Sequence, residues 1–312
     1  MGYYRCGNIG MKLLGNKIVD KYAAVYNSGI SYYGKHLDDI SGIANRIIDG
    51  KRDNISFAMS MRLLSKFHQG PIVRLRKSSD NSERDFYTRE DDTIDMDHIS
   101  SWAAGSTMYV VIWYDQSGLG NNAIQPVRSS QPRLILDTIP FFVGDSYDDY
   151  LYIPTPNGIQ DMITAGKYGT VLSIMRPYIK SEFTFGACRG SDRWSGHILW
   201  NNSNLYFDPG YCCDTNRYYY GRGRYDKWTN YTFMRSESGV LVVENSTVRL
   251  QGTQTSGPCT LTDNFGIGWA VGPHTEYRSK AHFNEMIMYK TGIEDEHRIA
   301  IEDNAMLFWG IN

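Results

Sequence analysis

The densest concentration of reactive side chains is Ile-Trp-Tyr-Asp-Gln-Ser-Gly-Leu-Gly-Asn-Asn-Ala-Ile-Gln-Pro, residues 112–126. An apolar, strand-like run ends there in a carboxylate, a hydroxyl, several amides and two glycines. A lone Asp beside a Ser can act as a catalytic carboxyl. It can also accept backbone N–H groups in an Asx-turn. Gly118 and Gly120 supply the positive φ that a sharp reversal needs. Asn121, Asn122 and Gln125 can satisfy open loop carbonyls. Asp115, Gln116, Ser117, Gly118, Gly120 and Asn121 are therefore expected to build a structural loop, with catalysis by Asp115 as the alternative.

A second group is aromatic. Sugars stack C–H faces on aromatic rings and bond their hydroxyls to Asn, Asp and Arg. Asp192-Arg193-Trp194, Trp200-Asn201-Asn202, Trp269, Tyr206 and the Tyr-rich segment Arg217 to Tyr225 place those types together. Asp192, Trp194, Trp200, Asn201, Tyr219, Arg222 and Trp269 are the candidate glycan-binding residues. The same tryptophans would serve equally as core residues, and the tyrosines as a protein contact.

Other chemistries lack their patterns. There is no phosphate loop, no Gly-x-Ser-x-Gly elbow and no His pair at metal spacing, so His197, His274 and His282 read as core or surface residues. Asp145, Asp148 and Asp149 gather oxygen ligands of the kind calcium takes, but an acidic solvated turn accounts for them. The five cysteines have no zinc spacing. Cys212-Cys213 can form a vicinal disulfide; free thiols are the expected state. No metal and no cofactor is expected.

These side chains must be held by a framework, and composition narrows it. The 312 residues suffice for a large core, 41% are apolar, and the formal charge is -2. That balance gives no reason to expect nucleic acid as a partner. No apolar run is long enough for a membrane helix, and the first residues lack a secretory layout. Residues 1–50 read as an N-terminal arm with a short helix near 36–50, and residues 51–312 as one domain. A helix is expected over Ser56–Gly70 and another over the C-terminal residues, with Ile299, Ala300 and Leu307 inward. Between them, short β-runs recur with turn residues: 133–137, 150–154, 169–177, 183–188, 197–202, 204–210, 217–223, 231–236, 239–246, 265–270 and 283–290. That spacing predicts an all-β antiparallel sandwich.

Three motifs in order resemble the catalytic domain of α-L-arabinofuranosidase B: Phe67–Pro71, Arg76–Asp80 and Tyr114–Asn121. The resemblance covers about Ala58 to Leu136 and implies a concanavalin A-like jelly-roll sandwich. It also implies two catalytic carboxyls, a Glu in a mid-domain Asp-x-Glu-Asn-Gly and an Asp in a late Gly-x-Gly-Gly-Asp. At those places this chain has Trp200-Asn201 and Trp269-Ala270, which cannot relay a proton. The family's adjacent cysteines fall closer to Cys188 than to Cys212-Cys213 and are not carried over.

The Asp-Gln-Ser-Gly module also occurs in viral and phage structural proteins. The expected function is therefore a non-catalytic, lectin-like component of a virion, partnered by copies of itself, other structural proteins or glycans. The alternative is a retaining glycoside hydrolase acting on arabinofuranoside side chains with relocated carboxylates.

Overall fold

The computed structural model describes residues 47–312 except 51, 179–181, 213–216, 222, 254–255 and 274–276. The expected arm, up to residue 46, lies outside them. Its strands are β1 (Ile55–Ser60), β2 (Val73–Lys77), β3 (Glu83–Phe86), β4 (Met108–Trp113), β5 (Ala123–Ile124), β6 (Arg133–Ile135), β7 (Phe141–Val143), β8 (Leu151–Ile153) and β9 (Gly169–Arg176). They continue as β10 (Phe185–Arg189), β11 (Asp192–His197), β12 (Leu205–Tyr211), β13 (Tyr218–Tyr220), β14 (Thr229–Ser236), β15 (Gly239–Glu244), β16 (Thr247–Gly252), β17 (Phe265–Ile267) and β18 (His282–Tyr289). Two α-helices are described, α1 (Met96–Ala103) and α2 (Asp295–Trp309).

The strand pairings are antiparallel and define two layers. One runs β1–β18–β9–β14–β15–β16. The other runs β8–β17–β10–β11–β12–β13. Strands β4, β6 and β7 lead into the first layer through β18, while β5 joins β4 to β8. Aromatic rings fill the space between. Phe233 on β14 meets Phe185 on β10 at 5.2 Å and Phe207 on β12 at 5.4 Å; Phe57 on β1 meets Phe265 on β17 at 5.4 Å. Facing rings from both layers make this a sandwich.

Two helix expectations are corrected. The start of the helix expected over Ser56–Gly70 lies in strand β1, Ile55–Ser60, and all six residues of that strand are buried. An apolar run that short fits a buried strand as well as a helix, and pairing with β18 settles it. Helix α2 buries Ile301, Ala305, Met306 and Trp309, whereas Ile299 is 36% exposed. The inward face also takes Arg298 and Glu302, whose ion pair at 2.8 Å caps the layer through Thr232 at 2.7 Å. At the other end, Ile48 is fully buried beside Ile55, Ala58 and Leu64. Asp49 accepts from the Ser65 hydroxyl at 2.6 Å and the Lys66 N–H at 2.9 Å. Residues 47–49 thus pack on the sandwich.

Candidate functional site

The Asp115 loop is a clasp. Asp115 Oδ1 accepts from the backbone N–H groups of Ala58 and Ser117, both at 2.9 Å. Its Oδ2 accepts from the Ser117 hydroxyl at 2.7 Å and the Asn121 N–H at 3.1 Å. Gln116 accepts from the Leu64 N–H and donates to the Arg62 carbonyl, while Asn121 donates to the Ser56 carbonyl. Gly118 and Gly120 have φ of +90° and +77°. Both oxygens of Asp115 are committed to tying the loop to β1. The geometry is that of a strand tether, and the carboxyl has no open side for substrate.

A different carboxylate sits at the centre of a polar cluster. On β11 and β12, Ser195 lies opposite Asp208 and His197 opposite Tyr206. Alternate residues of a strand point to opposite faces. Trp194 and Phe207 therefore enter the core, their rings 5.4 Å apart. Arg193, Ser195, His197, Tyr206 and Asp208 take the outer face. On β13, Tyr219 pairs with Tyr206, and Arg217 precedes the strand on the same side.

Asp208 is buried at the meeting point of these strands. Arg217 grips it through Nε to Oδ1 at 2.9 Å and Nη2 to Oδ2 at 2.7 Å. His197 Nε2 is 3.0 Å from Oδ2, and Arg193 Nη1 is 3.5 Å away. Burial pushes the Asp208 carboxyl upward, but the hydrogen bonds from Arg217 and His197 outweigh it, so it stays well below the usual carboxylate range. Burial also holds His197 below its ordinary value against the pull of Asp208, which makes it a neutral Nε2–H donor at pH 7. Its Nδ1 and the Nε of Arg193 are buried without a hydrogen-bond partner. Ser195 Oγ approaches His197 at 3.5 Å on the same Nε2 that meets Asp208. A Ser-His-Asp relay needs both ring nitrogens, so this is not one.

Aromatic side chains stand around this polar floor. Trp200, in the turn between β11 and β12, packs against Tyr277 at 5.1 Å, His197 at 5.5 Å and Phe183 at 5.8 Å. Tyr206 and Tyr219 lie 5.5 Å apart, and the Arg217 guanidinium covers the Tyr206 ring at 4.6 Å. Asn202 and Asn204 donate to the Tyr206 hydroxyl at 2.7 and 3.2 Å. Tyr219 is 57% exposed.

The candidate glycan residues therefore separate. Trp200, Asn201 and Tyr219 belong to this face, Asn201 as an exposed turn residue. Trp194 is fully buried with its Nε1–H on the Lys167 carbonyl at 2.9 Å, and offers no ring to a ligand. Trp269 is 7% exposed, edge-on to Tyr150 and beneath Arg278, so it too is withdrawn. Asp192 is tied to the Thr260 N–H at 3.0 Å and to its hydroxyl. Arg222 lies outside the described residues, as do His274 and Glu276. Asp208, Arg217, His197 and Arg193 were not among the candidates. The signal for them was the polar alternation Arg193-x-Ser195-x-His197 opposite Tyr206-x-Asp208.

Two further groups bear on chemistry. Cys212 is disulfide-bonded, which corrects the expectation of a free thiol there, whereas Cys188 and Cys259 are free. The carboxylates of Asp145, Asp148 and Asp149 come within 4.8 Å of one another. Burial and the neighbouring Asp145 push Asp149 up to about 7. Asp145 Oδ1 accepts from the N–H groups of Tyr147 and Asp148, as in a capped acidic turn.

No family model matches the chain, and no curated protein matches it. Solved structures do. An arabinofuranosidase complexed with arabinofuranosyl-α-1,2-xylobiose superposes with a TM-score of 0.65 at 14% identity, over 85% of this chain and 65% of that one. A GH54 α-L-arabinofuranosidase soaked with a cyclic sulfate inhibitor gives the same values. A Trypanosoma rangeli sialidase overlaps more loosely, with a TM-score of 0.44 at 13% identity over 63% of this chain and 31% of that one. The chain thus spans just under two thirds of the arabinofuranosidases it matches. At this identity the likeness establishes the fold: a β-sandwich of the kind found in the GH54 arabinofuranosidases.

Proposed function

We propose that the chain recognises a glycan on the outer face of the β8–β13 layer, with Asp208, Arg217 and His197 as the floor and Trp200, Tyr206 and Tyr219 as stacking groups. One observation carries this reading: a fully committed buried carboxylate, held by Arg and His, beside exposed and half-exposed rings. Such a floor fixes the rings and leaves the outer edges of Arg217 and the Asn202–Asn204 turn to meet hydroxyls. The likeness to arabinofuranosidases makes a furanoside-bearing oligosaccharide the first ligand to test. Tyr219→Ala should abolish binding of arabino-oligosaccharides, measured by calorimetry, without lowering the melting temperature. Equal affinity in that variant would reject the site.

Glycoside hydrolysis is the second reading, favoured by the structural likeness over 85% of this chain. A retaining enzyme needs two carboxyls about 5–5.5 Å apart, one of them raised in pKa. Asp208 answers poorly to either part, because its oxygens are saturated and its pKa is lowered. The sequence offers Asp192, Asp226 and Glu276 as other acids for such a pair, and Glu276 lies outside the described residues. Turnover of an aryl arabinofuranoside, lost in Glu276→Gln, would establish hydrolysis and displace the binding-only reading.

A particle component assembled through residues 1–46 is the partner reading that accompanies binding without turnover. Its support is the Asp-Gln-Ser-Gly resemblance. Deletion of residues 1–46 should leave a folded sandwich that sediments as a smaller species than the full chain; an unchanged species would remove the arm from assembly.

A further inference from the structure

We propose a second binding site, for a sugar chain bearing oxyanions, in the groove between the segment after β13 and the β15–β16 hairpin. The groove has a volume of about 670 Å³ and is lined by Arg224, Tyr225, Lys227, Glu244, Asn245 and Arg249, among others. Its one carboxylate side chain is already engaged. Glu244 is buried and accepts from the Arg224 N–H at 3.0 Å, the Tyr220 hydroxyl at 3.2 Å and Arg249 Nε at 2.9 Å. Its charge offsets one of the three cations, and the terminal oxygen of Asn312, which accepts from Arg224, offsets a second, which leaves an excess of one positive charge among the lining groups.

An amide and an aromatic ring stand among the cations. Arg224 Nη2 is steadied on the Asn312 carbonyl at 3.2 Å, and Asn245 Nδ2 on the same oxygen at 2.7 Å. Tyr225, another lining residue, is 55% exposed. Cations that approach an oxyanion next to an aromatic platform suit a carboxylate or sulfate ester on a sugar ring. Tyr219 and Tyr220 are adjacent on β13, so their side chains point to opposite sides. Tyr219 joins Tyr206 on the first face, and the Tyr220 hydroxyl reaches Glu244 behind it. The two sites share a strand but no side chain.

That the oxyanion is carried on a sugar rests on the glycan reading above; the charge excess of the groove does not. The test uses the full chain and three probes, tetragalacturonate, a sulfated oligosaccharide and neutral arabinotetraose, titrated by calorimetry at low and moderate salt. Carboxylate and sulfate sources separate by which acidic probe binds. Lys227→Glu should weaken acidic binding by about tenfold or more, and Tyr219→Ala should leave it unchanged; added salt should weaken it further. Acidic binding that depends on Lys227, without any binding of arabinotetraose, would sink the first site and sustain this one. Equal affinity in Lys227→Glu, loss in Tyr219→Ala, or no acidic binding at low salt would overturn the proposal.

Discussion

Replacing Asp208 by Asn tests whether the polar floor is as tightly wired as its distances imply. The side chain keeps its shape, but one acceptor oxygen becomes an NH₂. That NH₂ must take the place of Oδ1, facing Arg217 Nε, or of Oδ2, facing Arg217 Nη2 and His197 Nε2–H together, and all three are donors. At least one hydrogen bond is lost, and Arg193 and Arg217 lose their counter-charge. Removing one partner of a buried ion pair costs about 3–5 kcal/mol. The Arg217 side chain is 26% exposed and can turn toward water, so the expected loss is at the lower end, about 3 kcal/mol. For a domain of this size that corresponds to roughly 6–12 °C in melting temperature.

The sign of the pH dependence is also fixed. The folded pKa of Asp208 lies below its unfolded value, so the unfolded chain takes up the proton first. The stabilisation is therefore complete above the ordinary Asp pKa of about 3.9 and is lost as pH falls further toward the folded value. Urea unfolding of both proteins, followed by tryptophan fluorescence at pH 7 and again near pH 3, measures this. A difference below about 1 kcal/mol at pH 7, well short of the cost of breaking a buried pair, would refute the wiring. So would a gap that fails to narrow in acid.

Three other predictions follow the same physics. Asp149 is raised to about 7, so it stabilises the fold fully below its unfolded pKa and loses that contribution as pH rises through about 7; Asp149→Asn should raise the melting temperature at pH 8 and leave it nearly unchanged at pH 4. His282, lowered to about 4 chiefly by burial and stacked on Phe141 at 3.9 Å, keeps its full contribution above the ordinary His pKa and loses it as pH falls toward 4. His282→Phe should flatten the stability profile across that window, as read from melting temperatures at intervals of pH. Asp115→Ala strands the N–H groups of Ala58, Ser117 and Asn121, and at about 1–3 kcal/mol for each unsatisfied buried donor it should cost at least 3 kcal/mol in urea unfolding.

The sandwich was legible because most strands announce themselves as short runs of β-branched and aromatic residues between turn signals; β9, β14, β15 and β18 all fall where expected. Failures came where burial is two-sided or polar. Strand β1 is buried on both faces, Phe57 and Met59 on one and Ser56, Ala58 and Ser60 on the other, so no water-facing side marks it as a strand rather than a helix. The inward face of α2 was misjudged because Arg298 and Glu302 look like a solvated i,i+4 pair, yet Thr232 completes them inside. Asp208 was hidden by its neighbours. Asp-Pro-Gly reads as a turn, but here it lies within β12, where Gly210 at φ +137° has a carbonyl of Gly257 only 2.5 Å from where a Cβ would stand.

The alternation along β11 and β12 has a consequence for how such a domain can change. Trp194 and Phe207 pack into the apolar interior, whereas Arg193, Ser195, His197, Tyr206 and Asp208 lie on the opposite side of the strands in a polar layer that is itself largely buried. The two sets touch different neighbours, so a change on the polar side is felt through its ion pairs and hydrogen bonds, and one on the other side through ring packing. A single insertion in either strand would exchange the two sets at once and forfeit both. Lineages carrying this hairpin should therefore vary by replacement on alternate positions and keep its length.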